Sequence, residues 1–502
     1  MVCHWVFLVV FPSLATAQTN PAAQAARNWR QQHERAIVDE LVALLAVPNV
    51  SSDKPNIQRN ADLIAKMLEA RGLTARLVSV PGGNPVVVAE LRTPGASRTI
   101  GLYAHYDGQP LDQAEWASPP FQPTLRNHPV EDGGTVIPLP AAGTRFDPES
   151  RLYARGSADD KASIVAMLAA LDAIRGAGIR TKANIKLAFE GEEEIGSPNL
   201  EKTIVANKEL FAADLWLVCD GPVYQTRQQS VIFGSRGVTT FEVTVYGARN
   251  ELHSGQYGNW APNPALTLAR LLTSMKDDSG HVKIPGFYDE VLPLTPVEQR
   301  AIKEAPSVDA MLMRDFWVGA TDESPKTLYE LLTQPSLNIR GMASSRIGAQ
   351  ASNVIPSSAV ATLDIRLVKG MDIKRTQETV RNFIQKRGFY VTDREPTADE
   401  RRMHPQVARV TFGGGTEARR TSMELPISQE VIRTIESARG AAIKLPTMGG
   451  AVPLEAFERP LGATTIIIPI APHDSNQHTF NENMRIQNLW DGIEMMAALL
   501  TM

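Results

Sequence analysis

Two patterns of apolar and polar residues divide the chain, and the first is typical of a layered α/β domain. Amphipathic segments with a helical period alternate with short runs that are apolar throughout. The helical segments are residues 35–46, 58–71, 161–175 and 487–500, and the apolar runs are residues 86–91, 100–104, 185–189, 215–219 and 464–470. Strands that alternate with helices predict a parallel or mixed sheet covered on both faces.

The second pattern occupies the middle of the chain. Residues 238–246, 359–368 and 407–412 alternate between apolar and polar positions, as half-exposed antiparallel strands do. A helical segment at 373–387 lies between the last two runs. This combination is typical of a separate α+β unit.

The two patterns together predict a two-domain chain, which its length of 502 residues allows. Residues 18–236 and 422–502 would form the α/β domain, and residues 237–421 would form an α+β domain inserted into it. Residues 119–148 are rich in proline, glycine and polar residues, which predicts a long surface loop.

The N-terminal residues have the pattern of a targeting segment. Residues 6–14 are apolar, and Ala15-Thr16-Ala17 before Gln18 has the small-x-small form of a signal-peptidase site. The apolar run is too short to span a bilayer. We therefore predict a signal peptide at 1–17, a mature chain without a membrane span, and an exported protein that is periplasmic or secreted. The alternative interpretation is a buried N-terminal helix.

The charge balance excludes one class of partner. The chain has 51 Lys and Arg against 55 Asp and Glu, a net charge of −4, and only 6% aromatic residues. Nucleic-acid binding relies on excess positive charge and on aromatic stacking, so no nucleic-acid partner is expected. With 43% hydrophobic residues, the composition is that of a globular protein.

Histidines and acidic residues follow several predicted strands. They are His105 and Asp107 after 100–104, Asp159 before the helix at 161–175, Glu193 and Glu194 after 185–189, Asp220 after 215–219 and His478 after 464–470. Alone, each is explained by helix capping or a solvated surface. In an open α/β sheet, however, strand ends converge on one crevice. Two histidines and three carboxylates suit a pair of divalent metal ions, zinc first, with manganese or cobalt as alternatives.

Six motifs follow one another in a specific order: HYDGQP from His105, RGSADDK from Arg155, EGEEEIGS from Glu190, LVCDGP from Leu217, ELHSGQYGN from Glu251 and QHTFNEN from Gln477. This order resembles that of the M20 metallopeptidases, especially the carnosine dipeptidase-like branch, over nearly the whole mature chain. The resemblance implies a mixed-sheet, dinuclear-metal hydrolase domain with an inserted α+β dimerisation or lid domain. Ala162 replaces the family's usual glycine, but no site residue is missing.

The resemblance also implies a role for each residue of the metal site. Asp159 would bridge two ions, of which one binds His105 and Asp220 and the other binds Glu194 and His478. Two further roles concern the neighbours of these ligands. Glu193 would be the general base, Asp107 would hold His105, and the Asp159–Asp160 peptide bond would be cis.

Five more residues receive roles from the resemblance alone. His253, in the inserted domain, would reach the active site of the partner subunit and stabilise the oxyanion there. Asn353 and Arg366 would bind the substrate, and an arginine suits a substrate carboxylate. Gly449 and Gly450 would line the pocket.

The residues and the resemblance together predict a metal-dependent exopeptidase or dipeptidase. It would hydrolyse the amide bond of dipeptides or small peptides with a water activated by two metal ions, and it would act as a homodimer. One alternative is an N-acyl amino acid deacylase with the same site. Another is a non-catalytic metal- or peptide-binding protein, against which the intact Glu193 argues, because a binding protein needs the ligands but not the base.

Overall fold

A computed structural model describes residues 20–502 of the chain. The segment predicted as a signal peptide, residues 1–17, lies outside these described residues. Among the helices of residues 20–502, none combines the length and the apolar character needed to cross a bilayer.

The described residues form twenty strands, many of them short. They are β1 Ala75–Val78, β2 Val86–Leu91, β3 Thr99–His105, β4 Thr124–Arg126, β5 Arg151–Tyr153, β6 Asn184–Glu190, β7 Leu215–Val218, β8 Ser230–Ile232, β9 Gly234–Ser235, β10 Gly237–Tyr246, β11 Leu252–His253, β12 Ser336–Ala343, β13 Val354–Ile355, β14 Ser358–Leu367, β15 Tyr390–Thr392, β16 Val407–Thr416, β17 Arg419–Arg420, β18 Ile443–Leu445, β19 Thr464–Ile467 and β20 Asn483–Arg485.

Fifteen α-helices accompany these strands within residues 20–502. They are α1 Pro21–Leu45, α2 Lys54–Glu69, α3 Lys161–Gly176, α4 Leu200–Ala206, α5 Lys208–Phe211, α6 Ser254–Tyr257, α7 Pro264–Thr273, α8 Pro296–Glu304, α9 Asp309–Asp315, α10 Leu328–Leu332, α11 Ile373–Lys386, α12 Ala398–Met403, α13 Pro426–Arg439, α14 Leu454–Leu461 and α15 Ile486–Leu500.

A mixed eight-stranded sheet forms the centre of the larger domain, as predicted. Its strand order is β1-β2-β6-β3-β7-β19-β8-β18, and the four central strands β6, β3, β7 and β19 run parallel. Alternate residues of β3 and β7 pack into two different apolar clusters, one on each face. Helices α1, α3 and α15 cover one face, and α4, α5 and α14 cover the other. Both termini of the described chain therefore contribute to one core.

Helix α1 begins fourteen residues before the predicted helical segment at 35–46. Its N-terminus is capped by Asn20, whose side chain accepts hydrogen bonds from the N–H groups of Ala22 and Ala23. The first turns bury small alanines and Arg30, which forms ion pairs with Glu34 and Glu494. Because small residues and a buried ion pair give no strong apolar period, the periodicity did not predict a helix over residues 21–34.

The segment at 119–148 is not wholly a loop, contrary to the prediction. It contains β4, which pairs with β5, and β5 pairs with β20 in a small three-stranded sheet. The strand was missed because only Leu125 and Arg126 of its three residues are buried. The segments on either side of β4 contact the loop that carries His478, because Asn476 donates to Glu131 and the Ala117 N–H donates to Asn481.

A five-stranded sheet with the order β12-β14-β10-β16-β15 lies within the segment predicted as the inserted domain. Helices α7 and α11 pack on it, and its apolar cluster draws only on residues 241–410. Helices α8 to α10, however, pack against the core of the large sheet, where Tyr329 stacks on Tyr224 at 4.9 Å. Strand β12 is an edge strand that exposes Ile339 and Met342.

Candidate active site

The predicted site residues come from the carboxyl ends of the parallel strands. His105 is the last residue of β3, Asp220 follows β7, and Glu193 and Glu194 lie on a short 3-10 turn after β6. Asp159 precedes α3, and His478 lies in the loop between β19 and β20. The β3, β6, β7 and β19 strands are parallel, so these ends meet at one edge of the sheet.

Three of these side chains form a buried group. The Nε2 atom of His105 lies 2.9 Å from Oδ1 of Asp159 and 3.9 Å from Oδ2 of Asp220. One candidate ligand atom from each residue lies within 4.8 Å of the others, a spacing that suits a single metal ion.

A second group shares Asp159 with the first. The Nε2 atom of His478 lies 3.1 Å from Oδ2 of Asp159 and 3.2 Å from Oε2 of Glu194. The His478 side chain is 61% exposed, whereas the two carboxylates are buried. The two oxygens of Asp159 thus face two different groups, which is the arrangement that the family resemblance implies. The Asp159–Asp160 peptide bond is cis, as also expected.

The electrostatics of the site favour bound cations. Burial raises the pKa of Asp220 to about 7 and raises the pKa of Glu193 well above its usual range. The negative charges of neighbouring carboxylates raise both pKa values further, because they add to the cost of ionising each group. Hydrogen bonds to Asp159 and Glu194 raise the pKa of His478. Imidazole and carboxylate donors are those that zinc, manganese and cobalt bind, so the residues present fit such ions.

Asp107 connects His105 to the turn that carries Glu193 and Glu194. Its Oδ1 atom lies 3.4 Å from Nδ1 of His105. The Asp107 carboxylate also accepts hydrogen bonds from the N–H groups of Glu193 and Glu194, both at 3.1 Å, and from the Ser51 hydroxyl at 2.6 Å. A carboxylate behind a histidine ligand orients the ring and raises its basicity. Asp107 is placed to do this and to position the turn.

Comparison with known proteins gives the family. The model of peptidase family M20/M25/M40 matches residues 101–502. The chain belongs to this family. Sequence relatives of the M20 chain include the Cys-Gly metallodipeptidase dug1 of Schizosaccharomyces pombe, 24% identical over 91% of this chain and 93% of the relative. The human Beta-Ala-His dipeptidase is 27% identical over 82% of this chain and 76% of the relative.

The solved structures include an M20 family metallo-carboxypeptidase from Sulfolobus solfataricus. It is 26% identical to this M20 peptidase, with a TM-score of 0.76, and the match covers 93% of this chain and 98% of that chain. The relationship therefore extends over the large sheet and the inserted sheet together.

Besides Asp107 and Glu193, five predicted site residues of the M20 peptidase lie outside the two groups. His253 and Asn353 are exposed neighbours, because β11 pairs with β13 and the Ser254 N–H donates to the Asn353 carbonyl. Arg366 lies on β14 of the inserted sheet. Gly449 and Gly450 follow Met448, whose methyl group lies 3.0 Å from the position that a Cβ on Gly221 would take. The glycine loop is therefore close to Asp220.

Sequence reasoning missed Glu482, which holds the Asp159 loop. Its fully buried carboxylate accepts from the N–H groups of Gly156, Ala158 and Asp159 at 2.9 to 3.0 Å and from Nη1 of Arg155 at 2.8 Å. It also lies on the loop that carries His478. The QHTFNEN motif contained Glu482, but an acid among polar loop residues gave no signal of burial.

We expect Glu482→Gln to weaken both the fold and metal binding. An amide nitrogen would face N–H donors, and each unsatisfied buried group costs about 1–3 kcal/mol of the free energy of unfolding. Loss of such support typically lowers metal affinity by roughly 10–100-fold. Thermal unfolding and metal titration would measure the two effects. Glu131→Gln is the control, because its side chain accepts from Asn476 in an exposed hydrogen bond, which the amide oxygen can still accept. Equal behaviour of the two variants would contradict the assignment.

Proposed function

We propose that this M20 peptidase is a metal-dependent dipeptidase with two divalent ions in its site, zinc by preference. The observation that carries the proposal is the pair of ligand groups that share Asp159. It is supported by Glu193, which precedes the ligand Glu194 on the same short turn and belongs to neither group. A binding protein would need the ligands but not this residue.

The chain's own residues divide the work of amide hydrolysis. Bound ions would polarise the scissile carbonyl and lower the pKa of water. Glu193 would take the proton of the attacking water and pass it to the leaving amine. Asp107 would keep His105 and the Glu193–Glu194 turn in place, and Glu482 would hold the main chain of Asp159.

The proposal that dipeptides are the substrates is supported by the relatives. Two of them are named as dipeptidases, for Cys-Gly and for Beta-Ala-His. The test is hydrolysis of a panel of dipeptides and N-acyl amino acids by purified protein with defined metal, before and after chelation. Metal-dependent cleavage of dipeptides is expected. Cleavage of N-acyl amino acids alone would make the protein a deacylase, and cleavage of neither would make it a binding protein.

We expect His478→Ala to lose bound metal and His473→Ala to keep it. His478 contacts Asp159 and Glu194, whereas His473 lies in the same loop and belongs to neither ligand group. Metal analysis of the wild type should give about two ions per chain, since the two groups each suit one. One ion at full activity, or loss of metal from both variants alike, would contradict the two-ion site.

A homodimer is part of the proposal. Within residues 20–502, strand β12 is an unpaired edge of the inserted sheet and exposes Ile339 and Met342. A long edge strand with exposed apolar side chains invites pairing with another chain. His253 and Asn353 are exposed, and His253 belongs to neither ligand group of its own chain. A partner subunit would give both residues a site to act on.

Export completes the proposal, with cleavage after Ala17. It is supported by the apolar run and by the small-x-small sequence that ends it. N-terminal sequencing of protein from the producing cells should find Gln18 first. Met1 at the N-terminus of cytoplasmic protein would contradict it.

A further inference from the structure

The side-chain amide of Gln109, in the HYDGQP motif, contacts one of the predicted metal ligands. Its Nε2 atom donates to Oε2 of Glu194 at 2.8 Å and to the Glu194 carbonyl at 3.2 Å. Gln109 is half-buried, whereas the side chain of Glu194 is only 2% exposed. One amide group therefore holds both the carboxylate and the main chain of Glu194.

The main chain before Gln109 is arranged so that its side chain reaches Glu194. The Gly108 N–H donates to the Asn49 carbonyl at 2.8 Å, and a Cβ on Gly108 would lie 2.8 Å from Nδ2 of Asn49. Only glycine allows so close an approach. The residues on either side of Gly108 both contact Glu194, because Asp107 accepts from its N–H at 3.1 Å. Asp107 and Gln109 therefore hold Glu194 by its main chain and by its carboxylate.

The ligand group that contains Glu194 is the more open of the two. The other group, His105, Asp159 and Asp220, is buried. The His478 side chain, in contrast, is 61% exposed, and its Nε2 atom lies 3.2 Å from the same Oε2 atom of Glu194. Packing fixes an exposed ligand less firmly than a buried one, so an ion there depends more on neighbours that orient Glu194.

A neutral donor is well suited to this task. A carboxylate has about four acceptor positions, so one amide leaves the others for a cation. A lysine or arginine in place of Gln109 would also donate to Glu194, but its positive charge would oppose the binding of a metal ion. Residues that hydrogen-bond a ligating carboxylate orient it, and their loss typically lowers metal affinity by roughly 10–100-fold.

We propose that Gln109 is a positioning residue that fixes Glu194 and thereby sets the affinity of the Glu194–His478 site for its ion. The inference rests on the proposed two-ion function and deepens it, because it names the side chain that decides whether the more open site is filled. When zinc is scarce, an enzyme without this amide would hold one ion instead of two.

The test measures the affinity of metal-free protein for zinc by competition with a chromophoric chelator, so it requires no turnover. Gln109→Met keeps the approximate shape of the side chain and removes the donor. It should weaken the binding of one of the two ions by roughly 10–100-fold. The affinity for the other ion and the unfolding temperature of the metal-free protein should stay close to those of the wild type. Gln109→Lys keeps a donor but adds a positive charge, so it should weaken the same ion at least as strongly.

A second background identifies the ion that is weakened. His478→Ala removes a ligand from the Glu194 group, so the ion that remains is held by the buried group alone. Adding Gln109→Met to His478→Ala should therefore cause no further loss of zinc affinity, since the two changes act on one site. A further loss from the remaining ion would overturn the proposal.

Gln487→Met is the matched control. Gln487 donates its amide to Asp491 at 2.6 Å in a partly buried contact, and Asp491 belongs to neither ligand group, so this variant should keep both zinc affinities. Unchanged affinities in Gln109→Met, or equal weakening of both ions, would overturn the proposal. Two ions in the wild type with normal binding by the Gln109 variants would refute this inference alone. A single ion in the wild type would refute the proposed two-ion site as well.

Discussion

Glu193→Gln should lower turnover by roughly 10²–10⁴-fold, the usual contribution of a general base, and leave bound metal and fold intact. The amide keeps the size of the side chain but cannot take a proton. Glu193 belongs to neither ligand group, and the turn that carries it is held through its N–H by Asp107. Steady-state kinetics, metal analysis and thermal unfolding of one preparation would measure all three quantities.

Glu192→Gln is the control for this prediction, because it changes the neighbouring glutamate in the same way. Glu192 accepts from the Asn84 N–H and from the Asn199 amide, so it anchors the loop, and it belongs to neither ligand group. This variant should lose stability and keep most of its turnover. A Glu193→Gln enzyme with near-normal turnover would show that another residue is the base.

Mixing two inactive variants, His253→Ala and Glu193→Gln, should restore activity. If His253 acts in the partner subunit's site, a mixed dimer has one site with both lesions and one site with neither. With random exchange of equal amounts, about half of the dimers are mixed, so roughly a quarter of the wild-type sites return. The structure supports the design because His253 is exposed and lies outside both ligand groups. Activity assays of the mixture against each variant alone would measure the recovery.

Subunit exchange has to be shown first, with differently tagged chains. If the chains exchange and no activity returns, His253 acts within its own chain or has no part in the reaction. A fully active monomer would contradict the shared site more directly. His404→Ala is a suitable control, because His404 stacks on Tyr390 in the inserted domain, and this variant should be active without mixing.

The sequence pattern predicted the large sheet and brought candidate ligands to one edge of it, because parallel strands end at the same edge. Uninterrupted apolar runs identified the four parallel strands β3, β6, β7 and β19 together with the antiparallel β2. The rule that the carboxyl ends of parallel strands converge placed His105, Asp220 and Glu194 at one edge. The pairing of Asp159 with both groups came from the family resemblance. Periodicity could not have supplied it, since Asp159 precedes a helix and looks like an ordinary cap.

What the sequence did not reveal depends on contacts between distant segments. The early turns of α1 are stabilised by Arg30 and Glu494, and the role of Glu482 depends on three N–H groups far away in the chain. A residue's polarity can be read from sequence, but its burial and its hydrogen-bond partners cannot.

The contact between Glu482 and Asp159 has a consequence for the order of folding. The two residues are 323 positions apart, and the whole inserted sheet lies between them. Closing the chain between these two residues costs conformational entropy, and this cost rises only slowly with the length of the closed segment. Contacts between such distant residues nevertheless form late in folding, because the two segments must first meet. The inserted sheet pairs its strands within itself and has its own apolar cluster. We therefore expect the inserted sheet to fold first. The chain should gain its affinity for cations only late in folding, when the contact between Glu482 and Asp159 forms.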